Sequence, residues 1–151
     1  MADQPQSGRG WAIGVTALVT VFTAVFAVDA AGQKVEKRQT GFATYYSRAL
    51  DGEETASGET FDADALVAAH RTLPFDTVVR VVNLENGKRV QVRIVDRGPY
   101  GENWREGTII DLAPAAARRL GMLKDGQVRV RVEVIKVGAK PQEADVGRHD
   151  R

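Results

Sequence analysis

The sequence contains no cysteine. That excludes disulfides, thiolate-held zinc, Cys nucleophiles, iron–sulfur clusters and a lipid-modified N-terminal Cys. Net charge is nearly absent too, since 21 Lys and Arg against 20 Asp and Glu leave +1. A nucleic-acid reader working through a strong positive field needs a basic stripe, so nucleic acid is not an expected partner. No internal repeat of fixed period appears. What remains is ordinary: 43% hydrophobic and 27% charged residues fit a globular domain and argue against disorder of the whole chain. A length of 151 residues allows one domain once the ends are set aside.

One long uncharged run stands near the start. Residues 11–28 (WAIGVTALVTVFTAVFAV) follow Arg9 and precede Asp29-Ala30-Ala31. A positive head, an apolar stretch and a small-residue exit read as a signal peptide. The stretch also approaches the length of a membrane span, so an uncleaved anchor is the competing reading. Either reading exports the rest of the chain to the periplasm, the cell wall or the medium. The membrane is then a partner only through this segment. The expected organisation is a signal or anchor over 1–31, a polar linker over 32–40, a folded domain over 41–136 and a disordered tail over 137–151.

The domain reads as all-β with one short helix. Residues 41–47 (GFATYYS) are aromatic and β-prone. Residues 77–84 (TVVRVVNL) read as a strand with Arg80 pointing outward. Glu85-Asn86-Gly87-Lys88 is a hairpin turn, with Asn83 and Asn86 as turn formers. Residues 89–96 (RVQVRIVD) alternate, Val90, Val92 and Ile94 inward, Arg89, Gln91 and Arg93 outward. Residues 107–112 (GTIIDL) and 127–135 (QVRVRVEVI) are further strands, the latter with Val128, Val130, Val132 and Val134 inward. Pro114 suits the first turn of a helix and Gly121 its C-terminal cap. At this size, closure into a six-stranded barrel is the economical way to remove strand edges.

Four constellations carry candidate chemistry: Thr55-Ala56-Ser57-Gly58-Glu59, Ala68-Ala69-His70, Asp96-Arg97-Gly98-Pro99 and Ile110-Asp111-Leu112. Singly each has a bland reading. Glu59 is a solvated loop carboxylate, His70 a hydrogen-bonded structural group, Asp96 a turn former, and Asp111 an N-terminal cap or dipole partner of the helix.

Together they are more specific. The stretches GFATYYS, TASGETFD, LVAAHRTLPFDTVVRVVNLENGKRVQVRIVDRGPY and IIDLAPAAARRLGM occur in the order of the RlpA-like lytic transglycosylase family, which the chain resembles over residues 41–135. The resemblance implies a double-psi β-barrel that binds peptidoglycan glycan strands. In catalytic members it implies cleavage of the MurNAc–GlcNAc bond without water, leaving a 1,6-anhydro sugar. It places Asp96, His70 and Glu59 on the family's catalytic Asp, His and Glu. One departure is Tyr45 before Tyr46, where the family usually has Trp before Tyr. Another is Ala113 at the helix start, where Ser is more usual.

These residue types suit the chemistry. A proton must reach the leaving oxygen as an oxocarbenium-like centre develops. One carboxyl can then take a proton from the sugar's own 6-hydroxyl. Such an acid must begin protonated, through burial or a neighbouring negative charge. Glu59 is the expected second charge, and His70 the group that holds a carboxyl or stabilises charge. Tyr45, Tyr46, Tyr100 and Trp104 are the expected sugar-binding rings, with Phe61 a further candidate. No metal or cofactor is expected, because the two carboxylates and the His match no metal motif. A monomer is expected. The rival readings are a non-catalytic expansin-like module that binds or loosens the wall, and a true hydrolase that uses water.

Overall fold

The computed structural model describes residues 32–139. The apolar run at 11–28 and most of the expected tail lie outside the described residues. Elements run β1 (Lys37–Tyr45), a 3-10 turn (Arg48–Leu50), β2 (Val67–Ala69), β3 (Val78–Asn83), β4 (Arg89–Asp96), α1 (Gly101–Arg105), β5 (Thr108–Leu112), α2 (Pro114–Leu120) and β6 (Val128–Lys136). No described helix is long and apolar enough to cross a membrane.

Alternation sets the inside of the barrel. Val90, Val92 and Ile94 of β4 are buried, as are Val128, Val130, Val132 and Val134 of β6. They join Val79, Val81, Ile110 and Leu112 in one apolar core. The strands close in the order β1-β5-β2-β4-β3-β6, with β6 returning to β1. The pairs β1/β5 and β2/β4 are parallel, and the other four are antiparallel. This closed, mixed six-stranded sheet is the expected double-psi β-barrel, and none of its described strands has an open edge.

The helix reading holds. Pro114 opens α2, and Gly121 closes it with φ of 71°. Ala113 provides no side-chain cap, and one main-chain donor of the first turn instead finds the Ala63 carbonyl (Ala115 N, 3.1 Å). At the other end Asn83 and Asn86 donate to the Leu120 carbonyl, at 3.2 and 3.1 Å. These two turn formers therefore also tie the hairpin to α2.

Three expectations need correction. Residues 37–40, read as linker, are the first part of β1, because Lys37 to Thr40 pair with Val134 to Arg131 of β6. The sixth strand, β2, is three residues long and wholly buried, too short for any periodicity to show. Arg80 does not extend into solvent. It is buried with Glu133, to which it donates at 3.3 Å, and it also donates to Gln33. Register explains the pair, since Arg38, Glu133, Arg80 and Gln91 lie on one rung across β1, β6, β3 and β4.

Candidate functional site

A second rung builds the site. Thr44 of β1 faces Asp111 of β5, Asp111 faces Ala69 of β2, and Ala69 faces Asp96 of β4. Two aspartates thus flank a single alanine, about 10 Å apart at the backbone by two strand spacings. The strand ends are bulged here, at Phe42/Ala43 and at Ala68/Ala69, which re-aims the side chains that follow.

Asp96 is held by three donors. Tyr46 Oη donates to Oδ2 at 2.8 Å. The main-chain N–H groups of Ala56 and Arg97 both donate to Oδ1 at 2.8 Å. The loop carrying Ala56 is itself fastened, because Thr55 N and Oγ1 both donate to the Glu59 carbonyl and Ser57 N donates to the Val95 carbonyl. Burial, then the hydrogen bond and charge of Asp96, raise the Tyr46 phenol well above its ordinary value, so it remains a donor. The Tyr46 ring meets Phe61 edge to face at 5.1 Å. A cavity of about 230 Å³ opens above Asp96, lined by Tyr46, Leu50, Glu53, Glu54, Thr55 and Phe61.

Asp111 is not the cap of α2. That position is Ala113, and Asp111 stands earlier, inside β5, where it accepts a hydrogen bond from Thr44 Oγ1. Burial raises the Asp111 carboxyl above its ordinary value, and the charge of Asp96 adds to this. The second carboxyl beside Asp96 is therefore Asp111. The available signal was alternation in the run Ile110-Asp111-Leu112, which turns Asp111 away from its two buried neighbours.

Glu59 sits elsewhere. Its carboxylate receives both Nη atoms of Arg93, at 2.7 and 2.8 Å, on an exposed face. Those hydrogen bonds hold it below its ordinary value. It does not line the cavity over Asp96.

His70 lies behind the rung and is buried. Its Nδ1 accepts from the N–H groups of Thr72 and Leu73, at 3.2 and 3.1 Å. The proton is therefore on Nε2, which donates to Gln39 Oε1 at 3.0 Å. Burial, then the charges of Arg97 and Lys37, push the imidazole down to about 4. Its contact with Asp96 is through the main chain, His70 N to Asp96 O at 3.2 Å. Arg97 turns away from the Asp96 carboxylate and donates to the carbonyls of His70 and Leu73, its guanidinium 3.8 Å from the Phe75 ring centroid.

The expected sugar-binding rings divide. Tyr46 lines the cavity. Tyr45 donates to the Leu123 carbonyl at 3.0 Å and packs on the barrel core. Tyr100 and Trp104 are 61% and 44% exposed and both meet Arg71; Trp104 lines a cavity with His70, while Tyr100 stands over Gly98, beside Ala69 and Asp111. Among the described residues no three His, Asp or Glu side chains gather closely enough to hold a metal ion.

A family profile described as "Lytic transglycolase" matches residues 38–132. Among curated proteins, the chain is 50% identical over 118 residues to the probable endolytic peptidoglycan transglycosylase RlpA of Treponema pallidum. It is 44% identical over 106 residues to the endolytic peptidoglycan transglycosylase RlpA of Neisseria meningitidis. These alignments take in 78% and 70% of this chain but only 35% and 43% of the relatives' lengths. Among solved structures, the Streptomyces papain inhibitor superposes with a TM-score of 0.53 at 25% identity, covering 68% of this chain and 97% of that one. An expansin of Clavibacter michiganensis reaches 0.52 at 23% identity, over 70% and 54% of the two chains, a likeness of fold alone.

Proposed function

The chain belongs to the lytic transglycosylase family, and from that premise we propose that it cleaves peptidoglycan glycan strands, with Asp96 as the acid and base. The observation that carries this reading is the Asp96 carboxylate, fixed by three donors at the floor of an open cavity. A fixed carboxyl costs no reorganisation when the bond breaks.

Asp96 gives a proton to the leaving oxygen between MurNAc and GlcNAc. It then takes one from the 6-hydroxyl of the same sugar, whose oxygen closes on the anomeric carbon. The product is a 1,6-anhydro end and no water is consumed. Asp111, raised by burial and by the charge of Asp96, is the second carboxyl across Ala69 from the acid. His70 is a positioning residue that holds the chain behind Asp96, and Glu59 fastens the Ala56 loop to β4 through Arg93. Tyr46 and Phe61 form the apolar wall for the sugar ring. This work on the wall requires export, consistent with the apolar run at 11–28 acting as a signal or anchor.

Purified glycan strands, incubated with the protein and with Asp96→Asn, test the proposal by mass spectrometry of the fragments. Anhydro ends from wild type are expected, with a rate about 10²- to 10⁴-fold lower for the variant. Ordinary reducing ends would make the protein a hydrolase. Retention on sedimented strands without cleavage, equal for both proteins, would make it the binding or loosening module.

A further inference from the structure

We infer that Arg71, clasped by Trp104 and Tyr100, forms a subsite for a carboxylate carried by the substrate, one step along the strand from the cleavage site. The Arg71 Cζ lies 4.0 Å from the Trp104 ring centroid and 5.8 Å from that of Tyr100. Aromatic faces attract a guanidinium and fix its plane, while its N–H edge stays available. Arg71 makes no ion pair or hydrogen bond with any described residue. Exposed arginines elsewhere, such as Arg48, Arg93 and Arg105, face carboxylates of this chain.

The position suits a strand-shaped substrate. Arg71 follows His70 and stands two residues beyond Ala69, the residue facing Asp96, so about 7 Å of chain separates them. It borders a cavity of about 220 Å³ lined also by Gln39, His70, Thr72, Trp104 and Ile109. Tyr100 and Trp104 are the two most exposed rings of the described residues, and exposed aromatics beside a fixed cation suit a ligand with a flat apolar face and an anionic group.

This inference rests on peptidoglycan being the substrate. In that polymer the anionic groups are carboxylates from two sources. One is the lactyl group of MurNAc, ionised only where no stem peptide is attached, and the other is the stem peptide itself. The Arg71 fork matches either by the same chemistry, two parallel N–H···O bonds.

The test is retention of the full-length protein on sedimented strands of three kinds: peptide-free, peptide-free with lactyl carboxylates converted to neutral methylamides, and peptide-bearing. Wild type, Arg71→Gln and Arg71→Lys are compared, with thermal unfolding to check folding. For wild type, amidation is expected to weaken retention about tenfold, the loss of one charge-assisted contact. Arg71→Gln is expected to show that weaker retention on both peptide-free materials, and Arg71→Lys to fall between. Arg71-dependent retention confined to free lactyl groups names the lactyl carboxylate, and dependence on peptide-bearing strands names the stem peptide. Equal retention by wild type and Arg71→Gln on every material overturns the subsite, as does an amidation effect that persists in full in Arg71→Gln. Failure to form anhydro ends, with Arg71-dependent retention intact, would overturn the cleavage reading and leave the subsite standing.

Discussion

Glu133 is the most heavily committed charge in the barrel, and its loss should be costly. Its side chain is 4% exposed and that of Arg80 is 3% exposed. Oε2 takes Arg80 Nη1 at 3.3 Å, and Oε1 takes Arg131 Nε at 2.8 Å with Arg38 Nε at 3.6 Å. Burial alone would raise this carboxyl, yet hydrogen bonds from Arg131 and Arg80 and the Arg38 charge outweigh it, and the net direction is down. Glu133→Gln keeps the shape and removes the charge. It takes the Glu133 charge away from the buried Arg80 guanidinium. Breaking a buried pair on one side costs about 3–5 kcal/mol. Small-domain stability is about 5–15 kcal/mol, so a large share would go. Each kcal/mol lowers Tm by about 4–8 °C in a domain near this size. A fall of more than ~10 °C is therefore expected by calorimetry. Arg80→Met combined with Glu133→Leu should recover most of it, because apolar side chains of similar volume replace buried ion pairs with little loss. A Glu133→Gln loss below ~1 kcal/mol would refute the reasoning, since it would put the pair in the range of exposed salt bridges.

Three further outcomes follow from the geometry. Asp111→Asn should lower the cleavage rate, because Asp111 is the carboxyl that faces the acid across Ala69; an unchanged rate would exclude the pairing. His70→Gln should flatten the stability curve between pH 6.5 and about 4 in denaturant titrations. The native imidazole is depressed to about 4 by burial, then by Arg97 and Lys37, so the unfolded chain binds the proton first and wild-type stability falls as pH falls through that window. Gly41→Ala should cost about 1–3 kcal/mol in the same titrations, because the new Cβ would stand 2.7 Å from Ile109 Cγ2 and 2.8 Å from the Gly107 carbonyl oxygen, and a carbonyl cannot swing aside as a side chain can.

How far the sequence could be read depended on the range of the forces involved. Val90, Val92 and Ile94 were legible because alternation is local, and β4 was assigned to the residue. Pro114 and Gly121 marked α2 for the same reason. Arg80 was misread because its fate is set by Glu133, 53 positions away, and by the register of β3 on β6. The segment Val67–Ala69 was not read as a strand, because three residues cannot display a period and its stability comes from β4 and β5 on either side.

The site divides along the same line. Asp96 could be singled out from the motif around it, but the donors that fix it come from Ala56 and Tyr46, 40 and 50 positions away. Asp111 looked like a cap because it precedes a helix, which is a local argument. Its role emerges only from the rung Thr44–Asp111–Ala69–Asp96, which needs four strands in register. That rung also explains why a residue as plain as Ala69 matters. A larger side chain there would stand between the two aspartates, on a strand with no exposed face to receive it. The small residue in the centre allows Asp111 to sense the charge of Asp96 across β2, which puts the second carboxyl in reach of the first.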